Sequence, residues 1–134
     1  MNGYHNVVLE NKAVMERSGW VSLEPYGDDP LPFSTFTHPG PGSCVAVSLD
    51  DYWAACGERL NFVKIDVEGA EAAVLKGMER ILPEDRPVVL VELHAFDRWG
   101  ENHPALLHLK EAGYVASYLG RRRGEMHILA QPAE

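Results

Sequence analysis

With 134 residues, 46% of them hydrophobic, the chain can build one compact core and not two. Its net charge of −8 repels phosphate backbones and speaks against nucleic acid as a main partner. There is no basic-then-apolar leader and no apolar run near the ~20 residues of a membrane span, and Cys44 and Cys56 lack a CxxC spacing, so a reduced, soluble, cytoplasmic domain over residues 1–134 is expected.

Val7-Val8-Leu9 predicts a short strand that Asn11-Lys12-Ala13-Val14 continues to an edge. Glu16 to Gly19 reads as a turn, and Trp20-Val21-Ser22-Leu23 alternates as a second strand. From Pro25 to Ser43 the sequence is dominated by Pro, Gly, Asp, Ser and Thr without a period, which predicts a long surface loop. Gly40-Pro41-Gly42 within it does not continue as GxGxxG and is loop chemistry. Val45-Ala46-Val47 is a brief strand, and Ser48-Leu49-Asp50-Asp51 opens a short helix through Cys56, with Ser48 as N-cap.

Asn61 to Val67 is predicted to be a strand. The period then becomes helical, with Ala70, Ala73, Val74, Gly77, Met78 and Ile81 on one face, so a helix is expected from Glu68 to Leu82, closed by Pro83 and Pro87. Pro87 to His94 is nearly continuous apolar sequence, the pattern of a parallel strand buried on both faces. Pro104 to Ala112 is helical and Gly113 stops it. Tyr114–Leu119 and Glu125–Ala130 form a closing hairpin around Arg121-Arg122-Arg123, which reads first as a solvated turn and second as an anion-binding loop. The expected fold class is α/β, a mainly parallel sheet with an antiparallel C-terminal hairpin.

Ligands of open α/β sheets bind beyond the carboxyl ends of the strands. Asp66 ends one expected central strand, and Glu92 with His94 ends the next; neighbouring strands lie about 4.8 Å apart, so the three can share a crevice. Glu68 and Glu71 follow in the turn and first helical turn, where acids also serve simply to complement the helix dipole by ~0.3–1 kcal/mol. That plain use is weaker for Asp66 and Glu92, because a carboxylate closing an apolar strand costs desolvation unless it is paired. His94, two residues past Glu92, gains from a carboxylate able to orient its ring. Trp53 and Trp99 are more simply explained as buried aromatics than as pocket walls.

Phe62 to Leu82, containing VKIDVEGAEAAVLKG, followed by Arg86 to His94, resembles the FkbM family of S-adenosylmethionine-dependent methyltransferases. Asn6-Val7-Val8, Asn11 to Val14 with Ser18-Gly19, and Val47 to Tyr52 are similar to the family's segments upstream of that motif. The resemblance implies a Rossmann-like methyltransferase fold and O-methylation of a hydroxyl on a sugar or secondary metabolite, with S-adenosylmethionine as cofactor. It implies Asp66, Glu92 and His94 as catalytic residues, with Glu92 or His94 accepting the hydroxyl proton. It implies Ala13, Val14, Asp66, Glu68 and Glu71 on the cofactor side. The family's first strand, Gly-rich turn and ribose-binding acid have no counterpart. Two further strand–helix units of ~30 residues each would stand ahead of Tyr4, so an incomplete fold with an exposed apolar seam is expected. Two rivals stay open: a non-catalytic remnant that binds a partner or forms a homo-oligomer through that seam, and metal-dependent chemistry at Asp66, Glu68, Glu92 and His94. His38, His103 and His108 show no metal-ligand spacing with one another, and no metal is assigned.

Overall fold

The computed structural model describes residues 3–25, 35–39, 44–122 and 124–134. Strands β1 (Ala13–Val14), β2 (Gly19–Pro25), β3 (Thr35–Pro39) and β4 (Cys44–Val47) form one sheet in the order β1-β4-β2-β3. Strands β5 (Phe62–Ile65), β6 (Val88–Leu93), β7 (Tyr114–Arg122) and β8 (Glu125–Pro132) form a second, ordered β5-β6-β8-β7. The helices are α1 (Leu49–Ala54), α2 (Glu71–Lys76), α3 (Ile81–Glu84), α4 (Phe96–Trp99) and α5 (Pro104–Glu111). Only β1–β4 and β5–β6 pair in parallel; the other described pairs are antiparallel. The architecture is therefore mixed α/β, and the expectation of a mainly parallel sheet is corrected.

Other expectations shift as well. Val7, Val8 and Leu9 are exposed and outside any strand; only Ala13 and Val14 find a partner, against Ala46 and Val47. The stretch expected to be all loop contains β3, which pairs along β2 from Val21↔Pro39 to Pro25↔Thr35. Gly40-Pro41-Gly42 and Arg123 lie outside the described residues. The closing hairpin forms as expected, longer than predicted and with a register shift between Tyr118 and Gly120.

The second sheet carries the main core. Val89, Val91 and Leu93 of β6 share a face with Ile65 of β5 and with Ile128 and Ala130 of β8, and pack with Val74, Leu75, Met78, Leu82, Leu106 and Leu109. The alternate residues Val88, Leu90 and Glu92 are only half-buried, so β6 is buried on one face rather than both. Antiparallel pairing on one flank explains this, since such sheets can leave a face to solvent. β5 lies at the sheet edge, and Phe62 on the less covered face is 53% exposed.

The helix expected over 68–82 is two helices. It starts late because Glu68 and Gly69 are left-handed, with φ of 51° and 102°. It breaks at Gly77 because another segment intervenes. The Asp50 N–H donates to Gly77 O at 2.8 Å, and the Asp50 carboxylate accepts from the Arg80 and Ile81 N–H groups at 2.9 and 3.1 Å, starting α3. Pro83 therefore lies in the first turn of α3, where its missing N–H costs nothing, instead of closing the helix. Ser48 caps α1 as expected, its Oγ accepting from the Asp51 N–H at 3.1 Å.

At Gly77 an added Cβ would sit 2.3 Å from the Met15 carbonyl oxygen. Gly77→Ala should destabilise the fold by about 1–3 kcal/mol in urea unfolding, as overpacking does. Helix preference alone predicts a gain of roughly 0.5–1 kcal/mol, so a stabilised variant contradicts this close approach.

Candidate functional site

The parallel pairing of β5 with β6 sets Lys64 beside Leu90 and Ile65 beside Val91. Both chains leave the sheet at the same end, so Asp66, Glu68 and Glu71 emerge next to Glu92 and His94. Asp66 is exposed and ion-paired to Lys64, with Nζ 2.6 Å from Oδ2. Such an exposed pair contributes at most about 1 kcal/mol, so Lys64 is easily exchanged for another cation.

Glu71 is the buried member, its side chain only 1% exposed. Its Oε1 accepts from the Gly69 N–H at 2.8 Å and lies 2.6 Å from His94 Nδ1. On the other edge of the imidazole, Nε2 lies 3.1 Å from Glu68 Oε2 and 4.0 Å from Glu125 Oε1. Burial alone would lower the His94 pKa; the Glu71 hydrogen bond and the charges of Glu71, Glu68 and Glu125 outweigh it and raise the pKa above its ordinary value.

Glu92 points from the half-buried face of β6 and meets His127 directly across the β6–β8 pairing, with Nε2 3.0 Å from Oε2. The loop after β6 is fixed by His103, whose Nε2 donates to His94 O at 2.9 Å while Nδ1 accepts from the Ala105 N–H at 3.2 Å. Ala95, in the turn after His94, is left-handed at φ 54°. Both turns bordering the site thus hold a non-glycine residue in a conformation costing of order 1 kcal/mol or more.

Of the residues named from sequence, Asp66, Glu68, Glu71, Glu92 and His94 come together. Ala13 and Val14 lie in the other sheet; Ala13 packs on the Met15–Val21–Ala46 cluster, to which Ala70 and Ala73 also pack, and Val14 lies against the main core. Sequence reasoning missed Glu125, His127 and the role of His103. Strand register brings in the first two, and only a correct pairing of β8 with β6 could have found them.

A protein-family model, the methyltransferase FkbM domain, matches residues 44–116. The chain belongs to the FkbM methyltransferase family. The match runs through β4, β5, α2, β6 and α5 and includes Asp66, Glu68, Glu71, Glu92 and His94. No curated protein and no solved structure matches the chain. Among the described residues, no helix is long and apolar enough to cross a membrane.

The raised His94 pKa carries a stability term. It is fully present below the ordinary imidazole value of 6.5 and is lost as pH rises through the raised folded value. Wild-type stability should therefore fall as pH climbs from 6.5. Glu71→Gln, which removes the main raising partner, should flatten that fall in urea midpoints measured across the range. An equally steep fall in the variant would show that Glu71 does not set the His94 charge.

Proposed function

We infer that this chain serves S-adenosylmethionine-dependent O-methylation of a hydroxyl on a sugar or other small molecule, on a Rossmann-like methyltransferase framework. The observation that supports this best is the meeting of Asp66, Glu68, Glu92 and His94 at the ends of two parallel strands, in a chain of the FkbM methyltransferase family. The donor chemistry fits the cofactor's cationic half: carboxylates at Asp66 and Glu68 suit a sulfonium and an ammonium group. When bound, S-adenosylmethionine supplies an electrophilic methyl group.

The rest falls to the chain's own side chains. A hydroxyl becomes an effective nucleophile as its proton leaves, and a positioned base contributes typically 10²–10⁴-fold. Glu92 receives that proton in this reading. One of its oxygens is held by His127 and its carboxylate lies within 4.8 Å of the His94 and Glu125 donor atoms. His94, held in one orientation by Glu71, and Asp66 on the neighbouring strand position the hydroxyl oxygen.

Calorimetry with S-adenosylmethionine on the whole chain should show saturable binding, weakened about tenfold (1.4 kcal/mol) by Asp66→Asn. Glu92→Gln should keep that binding and lower the formation of S-adenosylhomocysteine with sugar or polyol acceptors by about 10²–10⁴-fold. Absence of heat up to millimolar ligand overturns cofactor use by this chain.

A further inference from the structure

Among the described residues, His94 Nε2 is the buried side-chain nitrogen that lacks any hydrogen-bond partner. Its side chain is 12% exposed, and the ring is fixed from behind by the 2.6 Å contact of Nδ1 with the buried Glu71 carboxylate. In the neutral ring a carboxylate on Nδ1 holds the proton there and presents Nε2 as a lone pair. That lone pair faces carboxylates: Glu68 Oε2 lies 3.1 Å away without hydrogen-bond geometry, and Glu125 Oε1 lies at 4.0 Å. A lone pair set against anions in a shielded place is unfavourable unless something positive lies between them, either the second proton of the charged imidazole or a bound cation.

We propose that Asp66, Glu68 and His94 bind a divalent cation of the Mn²⁺ class. Their donor atoms all lie within 4.8 Å of one another. An octahedral ion with bonds of about 2.1 Å holds neighbouring donors roughly 3 Å apart, so the exposed Asp66 and half-exposed Glu68 close on it by swinging about 1 Å or more. A set of two carboxylates and one imidazole, with no thiolate, suits such an ion and leaves positions open for water or a substrate oxygen. Glu92, His94 and Glu125 form a second triple within the same limit, so further negative charge surrounds the ion. The competing cation is Lys64, whose Nζ sits 2.6 Å from Asp66 Oδ2 and leaves Oδ1 available. Glu71 touches His94 and not the ion, and is a positioning residue of the kind that orients metal-bound histidines.

Ion binding stands on this geometry alone. Asp66 and Glu68 are also the carboxylates offered to the cofactor's cationic half under the methyl-transfer reading, so the ion and that half of the cofactor are alternative occupants of this edge, and no step of methyl transfer is routed through the ion.

The test is a Mn²⁺ titration of the whole chain followed by electron paramagnetic resonance, where bound ion loses the free-ion signal. One ion per chain should bind, Mg²⁺ in excess should compete, and the melting temperature should rise with Mn²⁺ concentration. Glu68→Gln, a substitution on a half-exposed side chain whose folding is checked by circular dichroism, should weaken binding at least about tenfold. Glu71→Gln should weaken it about 10- to 100-fold, and Glu84→Gln, on α3, should not change it. Undiminished free-ion signal at millimolar Mn²⁺ overturns the proposal and leaves Nε2 to a proton. Equal binding by Glu68→Gln and wild type overturns the site. Mn²⁺ and S-adenosylmethionine are titrated separately, so failure of one is told apart from failure of the other.

Discussion

The carboxylate of Glu71 is the constraint from which the site is built. A charge this deeply buried costs several kcal/mol unless paired and hydrogen-bonded. Its two partners come from opposite directions: the Gly69 N–H, two residues earlier in the chain, and His94 Nδ1, from the end of the neighbouring strand. The first requires the left-handed turn at Glu68 and Gly69 that delays α2. The second ties the β5–α2 turn to the β6 turn, and so fixes where the imidazole points. His103 secures the same loop from the other side by binding the His94 carbonyl. Removing Glu71 would therefore disturb conformation, charge and ring orientation together.

Around that anchor the protein places charges of one sign. Glu68 and Glu125 approach the Nε2 edge of the imidazole, and Asp66 and Glu92 each have a donor atom within 4.8 Å of a ring nitrogen, with Lys64 on the rim and His127 behind Glu92. Such a cluster is destabilising in isolation, because like charges in a partly dry place repel. It is intelligible where a cation completes it, whether a cofactor's sulfonium or a metal ion. The FkbM match and the geometry converge here: Asp66, Glu68 and Glu92 of the matched segment belong to this cluster, joined by Glu125 from outside it.

Much of this was legible in the sequence because it is local. An apolar run ending in Asp66, a change of period after Glu71, and a second run ending in Glu92 and His94 are written within short windows, and the strand–helix alternation between residues 44 and 116 follows from them. Ser48 as a cap and Gly113 as a stop, with φ +80°, are likewise local signals. What was hidden depends on distant partners. Val7 to Leu9 has strand composition but, among the described residues, no strand beside it. Thr35–Pro39 looks like loop and becomes strand because β2 offers an edge. The break at Gly77 is imposed by Met15 and Asp50, each more than twenty residues away. Glu71 read equally as an acid complementing the helix dipole or as a cofactor-side residue, and its burial against His94 could not be read from local sequence. His127 enters only through register.

The central claim is that Glu71 holds the proton on His94 Nδ1 and leaves Nε2 bare toward the carboxylates. A two-bond ¹H–¹⁵N correlation spectrum of the labelled protein, recorded above the His94 pKa, reads this directly. The account predicts the Nδ1–H tautomer for His94, converted to a mixture in Glu71→Gln. A wild-type ring carrying its proton on Nε2 would contradict it.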